Sequence, residues 1–226
     1  MVMLTLDHLT IIAPTLFDGV VHVKECLGIE VPFGTRHHYM GTHNHRLQLG
    51  GNVYLEIVAR DPDGVDPGRA RWFGVDDPDR IRSDWEENRR LRGWVAAVSP
   101  IERIVSERSA FGEVVALPFD NPEFAFSIPA DGSLPCEGAL PSLIDHREDP
   151  TRMSDIPDLG ARLVSFSLLH PEPEKVRAMY RGLKMPEKVR AMYRGLKIDR
   201  PPEIKAGPAV RYEAEIATPD GRRTLW

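Results

Sequence analysis

Cysteine is scarce in this 226-residue chain: Cys26 and Cys136 stand far apart, offering neither a disulfide framework nor CxxC metal spacing. A reducing, cytoplasmic setting is the expectation. Long apolar runs are missing too. None approaches the roughly 20 residues that cross a bilayer, and Asp7 and His8 interrupt the N-terminus where a secretory signal needs an unbroken apolar segment. Basic clustering is also absent, since 29 Lys/Arg against 34 Asp/Glu give a net charge of −5 and the cations are spread along the chain. Nothing resembles a footprint for nucleic-acid phosphates. What remains, at 42% hydrophobic residues, is a globular protein able to bury a core without staples. Its expected partner is a small molecule, with no role for nucleic acid or membrane.

Periodicity divides the chain into three similar stretches. Residues 4–13 (LTLDHLTIIA) read as a strand ended by Pro14. Phe17, Val20, Val21, Val23 and Leu27 follow at near-helical spacing, with Gly28 where a helix stop belongs. The runs 45–49 and 53–59 then pair about Gly50-Gly51, completing β-α-β-β-β. The order recurs from Gly93, with "GWVAAV" as strand, residues 100–109 as helix, then "GEVVALPF", "FAFSIPADG" and "LPSLIDHR". It recurs again from Leu163. The fold class expected is α+β, with a first unit over residues 1–60, a linker over 61–92 rich in Asp, Pro, Gly and Arg, a second unit over 93–149 and a third over 162–226.

The third stretch repeats "PEKVRAMYRGLK" letter for letter at 173–184 and 186–197. A 13-residue period is too short for a solenoid unit. A continuous helix would turn the second copy's apolar stripe by about 220° from the first, so Val176/Met179/Tyr180/Leu183 and Val189/Met192/Tyr193/Leu196 cannot face one sheet. One copy is expected to pack and the other to lie outside.

The densest chemistry lies at "RHHYMGTHNHRLQLGGNVYLEIV", residues 36–58, which holds four of the eight histidines and a lone Glu56 among apolar residues. A two- or four-residue loop places His45 opposite Glu56, whereas a three-residue loop places Arg46 there. The first register puts His43, His45, Tyr54 and Glu56 on one face and Val53, Leu55 and Ile57 on the other. Imidazole and carboxylate on rigid strands suit a divalent metal or a proton-transfer site. An unpaired carboxylate is costly to bury, so Glu56 needs a partner or water.

"LDHLTIIAPTL", "GTHN" and "YLEIV" together resemble the glyoxalase-like branch of the vicinal oxygen chelate superfamily, and the order of motifs extends the resemblance over nearly the whole chain. Membership implies βαβββ units, two of them paired into a concave, partly open barrel whose inner faces hold a metal and a small substrate. Carried over, the metal-ligand positions of the first unit fall on His8 and Glu56, and those of the second on Trp94 and Asp145. Trp94 cannot ligate, which leaves His8, Glu56 and Asp145, with His43 or His45 as replacement, for Fe, Mn, Ni or Zn. Glu56 and His8 are the catalytic candidates. His43, Asn44 and Trp94 are the substrate-binding ones, and His37 and His38 read as exposed loop.

Two functions follow from the resemblance. One is a metal-dependent lyase, isomerase or dioxygenase acting on vicinal oxygens, with Glu56 or a histidine moving the proton. The other is a metal-free binding or drug-sequestering protein whose cavity Trp94 helps to line. An unpaired strand edge near Trp226 would suit a homodimer.

Overall fold

The structure is a computed structural model that describes residues 4–147, 153–181 and 202–226. In chain order the strands and helices are β1 (Thr5–Ile12), α1 (Leu16–Leu27), β2 (Phe33–His37), β3 (Thr42–Gln48), β4 (Tyr54–Arg60), α2 (Pro78–Glu86), β5 (Leu91–Ala97), α3 (Glu102–Val105), β6 (Glu113–Leu117), β7 (Phe124–Ile128) and β8 (Ser142–Asp145). Then come β9 (Arg162–His170), α4 (Pro173–Arg181), β10 (Glu203–Ala206), β11 (Arg211–Thr218) and β12 (Gly221–Leu225). The first eight strands form one curled sheet in the order β2-β3-β4-β1-β5-β8-β7-β6. Two βαβββ units therefore join edge to edge where β1 runs antiparallel to β5. No helix among the described residues is long and apolar enough to cross a membrane.

Local sequence explains the first unit well. Thr15 caps α1 by accepting from the Asp18 amide, and Gly28 ends it in the left-handed conformation. The buried face of α1 packs on Leu47, Leu55 and Ile57 with the main core. The second unit departs from expectation, because residues 100–109 form only the one-turn α3 and a 3-10 turn. The stretch read as linker departs more. It carries α2, which starts at Asp77 with Pro78 in its first turn and buries Ile81 and Asp84. Charge on most other positions of α2 hid its narrow apolar stripe. Just before it, Trp72 and Phe73 lie down on the concave face of the sheet against Phe126, in a second core with Met40 and Val58.

The C-terminal strands form a separate sheet in the order β10-β9-β11-β12. Here β9 sits between the strand after the helix and the next one, whereas β1 pairs in parallel with the last strand of its own unit. The third stretch thus shares the element order of the other two and differs in strand order. This sheet covers the convex side of the large one. Phe166 and Tyr212 from it, and Val176 and Tyr180 from α4, are buried with Trp94 in the main core. The first copy of the 13-residue repeat supplies α4; the second, from Pro186, lies outside the described residues.

Candidate functional site

The β3–β4 hairpin decides what reaches the concave face. Leu49 and Val53 close a three-residue loop over Gly50, Gly51 and Asn52, with both glycines at positive φ (89° and 59°). That register pairs Arg46 with Glu56, Asn44 with Val58 and His45 with Ile57. One residue of slip turns every side chain over. The expectation that His43 and His45 share the Glu56 face is therefore corrected: they point to the α1 side, where His45 Nδ1 donates to the Val31 carbonyl at 2.7 Å. Asn44 takes the inner place. Its Nδ2 donates to Glu56 Oε1 at 2.6 Å, and its Oδ1 accepts from the Thr35 amide at 2.7 Å, which fixes the amide's orientation. Gly34 makes this contact possible, since a Cβ there would lie 2.3 Å from Asn44 Oδ1.

His8 arrives from β1 beside a bulge. Between Leu6 and His8 the register with β5 shifts, so Asp7 is the extra residue. His8 Nδ1 donates to Asp7 Oδ1 at 2.6 Å, and His146 Nε2 donates to the other Asp7 oxygen at 2.7 Å. On the far side of the ring, His8 Nε2 lies 3.4 Å from Glu56 Oε2, long for a hydrogen bond, and has no closer partner among the described residues. Tyr54 stacks on the imidazole at 4.5 Å. A row of groups results, running His146, Asp7, His8, Glu56, Asn44, and all but His146 are more than nine-tenths buried.

Burial alone would discharge these groups, and the hydrogen bonds reverse it. Burial pushes the His8 imidazole down, but the bonds and charges of Asp7 and Glu56 outweigh it and hold its pKa at about 9. Burial raises Asp7, and the two histidines bring it to about 2. Glu56 is likewise pushed up by burial and pulled below its ordinary value by His8, with His37 and Asn44 helping. At neutral pH the site is an imidazolium between two carboxylates. His37, expected as exposed loop, is half-buried beside Trp72; burial lowers its pKa to about 4, so it stays neutral.

His8, His37, Tyr54 and Glu56 line a small cleft of about 60 Å³ walled by Trp72, Phe73, Phe124, Phe126 and Ile144. The other two expected site residues are elsewhere. Asp145 turns its carboxylate to the chain, accepting from the amides of Ile101 (3.1 Å) and Arg147 (2.8 Å). Trp94 pairs with Leu9, not His8, and so faces the C-terminal sheet, where its Nε1 donates to Tyr180 Oη at 3.2 Å. It belongs to the core and not to the pocket. Trp94→Phe should cost about 1–2 kcal/mol in urea unfolding through the lost hydrogen bond and ring area, and leave ligand binding at His8 within twofold. A selective loss of that binding would return Trp94 to the site.

The metal that the resemblance implies was expected to draw on His8, Glu56 and Asp145. Two donors converge, His8 Nε2 and Glu56 Oε2, and Asp145 is committed to backbone amides. Among the described residues no three His, Cys, Asp or Glu side chains come together as a ligand set. The residues present do not fit a three-ligand centre. Asp7, His146 and His37 were missed because their partners are distant in sequence or hidden by the bulge; the adjacent acid and imidazole of "LDHL" are the trace they leave.

The glyoxalase-like domain model matches residues 6–183. A hypothetical protein from Staphylococcus aureus has a similar structure, at 11% identity over 93% of this chain and 88% of that one, with a TM-score of 0.57. A Streptomyces coelicolor methylmalonyl-CoA epimerase matches at 15% identity over 66% of this chain and 99% of its own, with a TM-score of 0.37. No curated relative matches the sequence. With the matched stretch taking in both paired units of the large sheet, the chain belongs to the glyoxalase-like domain family.

Proposed function

We propose that the protein is an enzyme that moves a proton on a small carbonyl-bearing molecule, an isomerase or lyase in class, with Glu56 as base and His8 as electrophile. The observation that carries this reading is the buried His8 Nε2 and Glu56 Oε2, 3.4 Å apart at the floor of an aromatic cleft, with no closer partner for that ring nitrogen among the described residues. A substrate carbonyl oxygen accepts a hydrogen bond from His8 Nε2, and Glu56 Oε2 takes the proton from the neighbouring carbon. The C–H electron pair moves into the enolate, whose negative charge develops against a cation already in place. Return of the proton to either face or carbon gives an epimer or isomer. Asn44 holds Oε1 and leaves Oε2 as the working oxygen. Because Glu56 is a weakened base, the carbon it serves must be acidic, which favours a carbonyl with a second oxygen on the adjacent carbon. Among the described residues only these two donors converge, so the proton moves between protein groups and substrate alone.

The aromatic walls support a second reading, a binding protein for a flat apolar ligand without turnover. One experiment separates the two. The protein is incubated in D₂O with hydroxyacetone, dihydroxyacetone, 2-oxobutyrate and acetoin, and proton NMR follows deuterium entering the carbon beside the carbonyl. Catalysed exchange on at least one compound is expected, and it should be undiminished after dialysis against a chelator. Exchange on none, with saturable binding of an aromatic probe, overturns the enzyme reading. Exchange that disappears with the chelator and returns with added metal overturns the metal-free mechanism.

A further inference from the structure

A second cavity, of about 390 Å³, lies on the other side of Phe73, which among the described lining residues is the one shared with the His8 cleft. Its volume falls in the range of small-molecule sites. The deep end is apolar and cationic: Ile12, Phe73 and Ile81 are buried there, with Arg92 only 5% exposed. Asp84 Oδ2 takes Arg92 Nε at 2.8 Å, and its Oδ1 takes Arg89 Nη2 at 2.6 Å and Arg80 Nε at 3.3 Å. Three guanidiniums thus lean on one buried carboxylate. Among the described residues Arg92 Nη1 has no acceptor, and Arg92 Nη2 has the Glu137 carbonyl at only 3.4 Å. Arg89 is paired a second time, with the exposed Glu87 at 2.9 Å, so the guanidinium left underpaired is that of Arg92, whose pKa burial lowers with Arg89 and Arg80 adding to the effect. The mouth has the opposite sign: Asp77, Asp131 and Glu137 are exposed and line it. The backbone there is unusual as well, with Cys136 and Glu137 both at positive φ (49° and 57°) ahead of Gly138, a conformation non-glycine residues hold only where the surroundings enforce it.

We propose that this cavity binds a small zwitterion whose carboxylate and ammonium sit at opposite ends of an apolar body. The carboxylate meets the buried Arg92 at the deep end with the half-exposed Arg80 beside it, the body lies against Ile81 and Leu134, and the ammonium rests among the acids of the mouth. A dianion is repelled at the entrance, and an amine without an acid leaves the guanidiniums short. This site is separate from the His8 cleft, so its test does not use catalysis.

Isothermal titration calorimetry with 6-aminohexanoate, hexanoate and hexylammonium compares one apolar body bearing both charges, the acid alone and the amine alone. The zwitterion should bind about tenfold more tightly than either singly charged probe, as one favourable charge contact implies. Arg80→Gln and Asp131→Asn, both surface changes, should each weaken it about tenfold, whereas Glu56→Gln should leave it unchanged. Hexylammonium binding as tightly as the zwitterion would reduce the site to its acidic mouth, hexanoate doing so would remove the mouth from recognition, and no saturable binding of any of the three would refute the site outright. Equal loss in Glu56→Gln and Arg80→Gln would place the ligand in the His8 cleft instead.

Discussion

In Glu56→Gln, deuterium exchange at the substrate carbon falls by about 10²- to 10⁴-fold, the range that removal of a positioned general base produces. The substitution is chosen for what it keeps. Glutamine has the length of glutamate, and its side-chain oxygen still accepts the Asn44 amide that reaches Oε1 at 2.6 Å. What it removes is the basic Oε2 and the charge facing His8 across 3.4 Å. A second readout follows from that loss. His8 is held at about 9 by Asp7 and Glu56 together, so without the Glu56 charge its NMR titration should move down towards the ordinary 6.5 while Asp7 keeps part of the elevation. A variant whose exchange rate stays within threefold of wild type, with His8 shifted as expected, shows that the pair exists and that Glu56 is not the base.

How much of this was legible in sequence depended on the range of the interaction that fixes each residue. The end of α1 is readable because Gly28 acts within one turn, while the Thr15 cap at its start shows only in the structure; the strands are readable because Val, Ile and Leu mark them along the chain. Glu56 stands out as a lone carboxylate in an apolar strand and His8 through the resemblance, and their adjacency rests on the parallel β1–β4 pairing. The hairpin register is open in sequence because the turn accommodates loops of two, three or four residues, and the three-residue choice moves Asn44 into the site and His43 and His45 out of it. Trp94 reads from sequence either as core or as an apolar wall of the pocket, and the structure takes the first, because the register with β1 turns it to the side of Leu9. The Trp72–Phe73 segment lay in a stretch whose composition suggests a linker, and nothing local says that two aromatics there will lie against Phe126 from the second unit. Asp84, Arg80 and Arg89 lie in the same stretch and Arg92 at its end, and only the fold gathers the three guanidiniums about one buried carboxylate.

The largest effect on stability is expected from Asp7→Asn. Asp7 accepts from two imidazoles, at 2.6 and 2.7 Å, and its removal leaves the buried His8 cation with Glu56 alone at 3.4 Å. Taking one partner from a buried pair costs about 3 kcal/mol, and the pH dependence tells this cause from a packing defect. The folded pKa of His8, about 9, lies above its unfolded value of 6.5, so the stabilisation is fully present below pH 6.5 and lost as pH rises through 9. On the acid side the sign reverses. His37 is held neutral with a pKa of about 4, so the unfolded chain takes up its proton first and stability falls as pH drops from 6.5 towards 4. Asp7, at about 2 in the fold, adds a loss that begins below its ordinary 3.8 and is complete only below pH 2. Wild-type stability therefore peaks near pH 6.5, and urea unfolding should find Asp7→Asn most damaging at pH 6 and much closer to wild type at pH 9.5, where His8 is largely neutral in both. A destabilisation of equal size at the two pH values would mean that Asp7 supports the bulge by shape and not His8 by charge. His146→Gln sharpens the distinction, because it takes one donor from Asp7 and leaves the Asp7–His8 bond in place, so its cost should be smaller and its effect on the His8 titration slight.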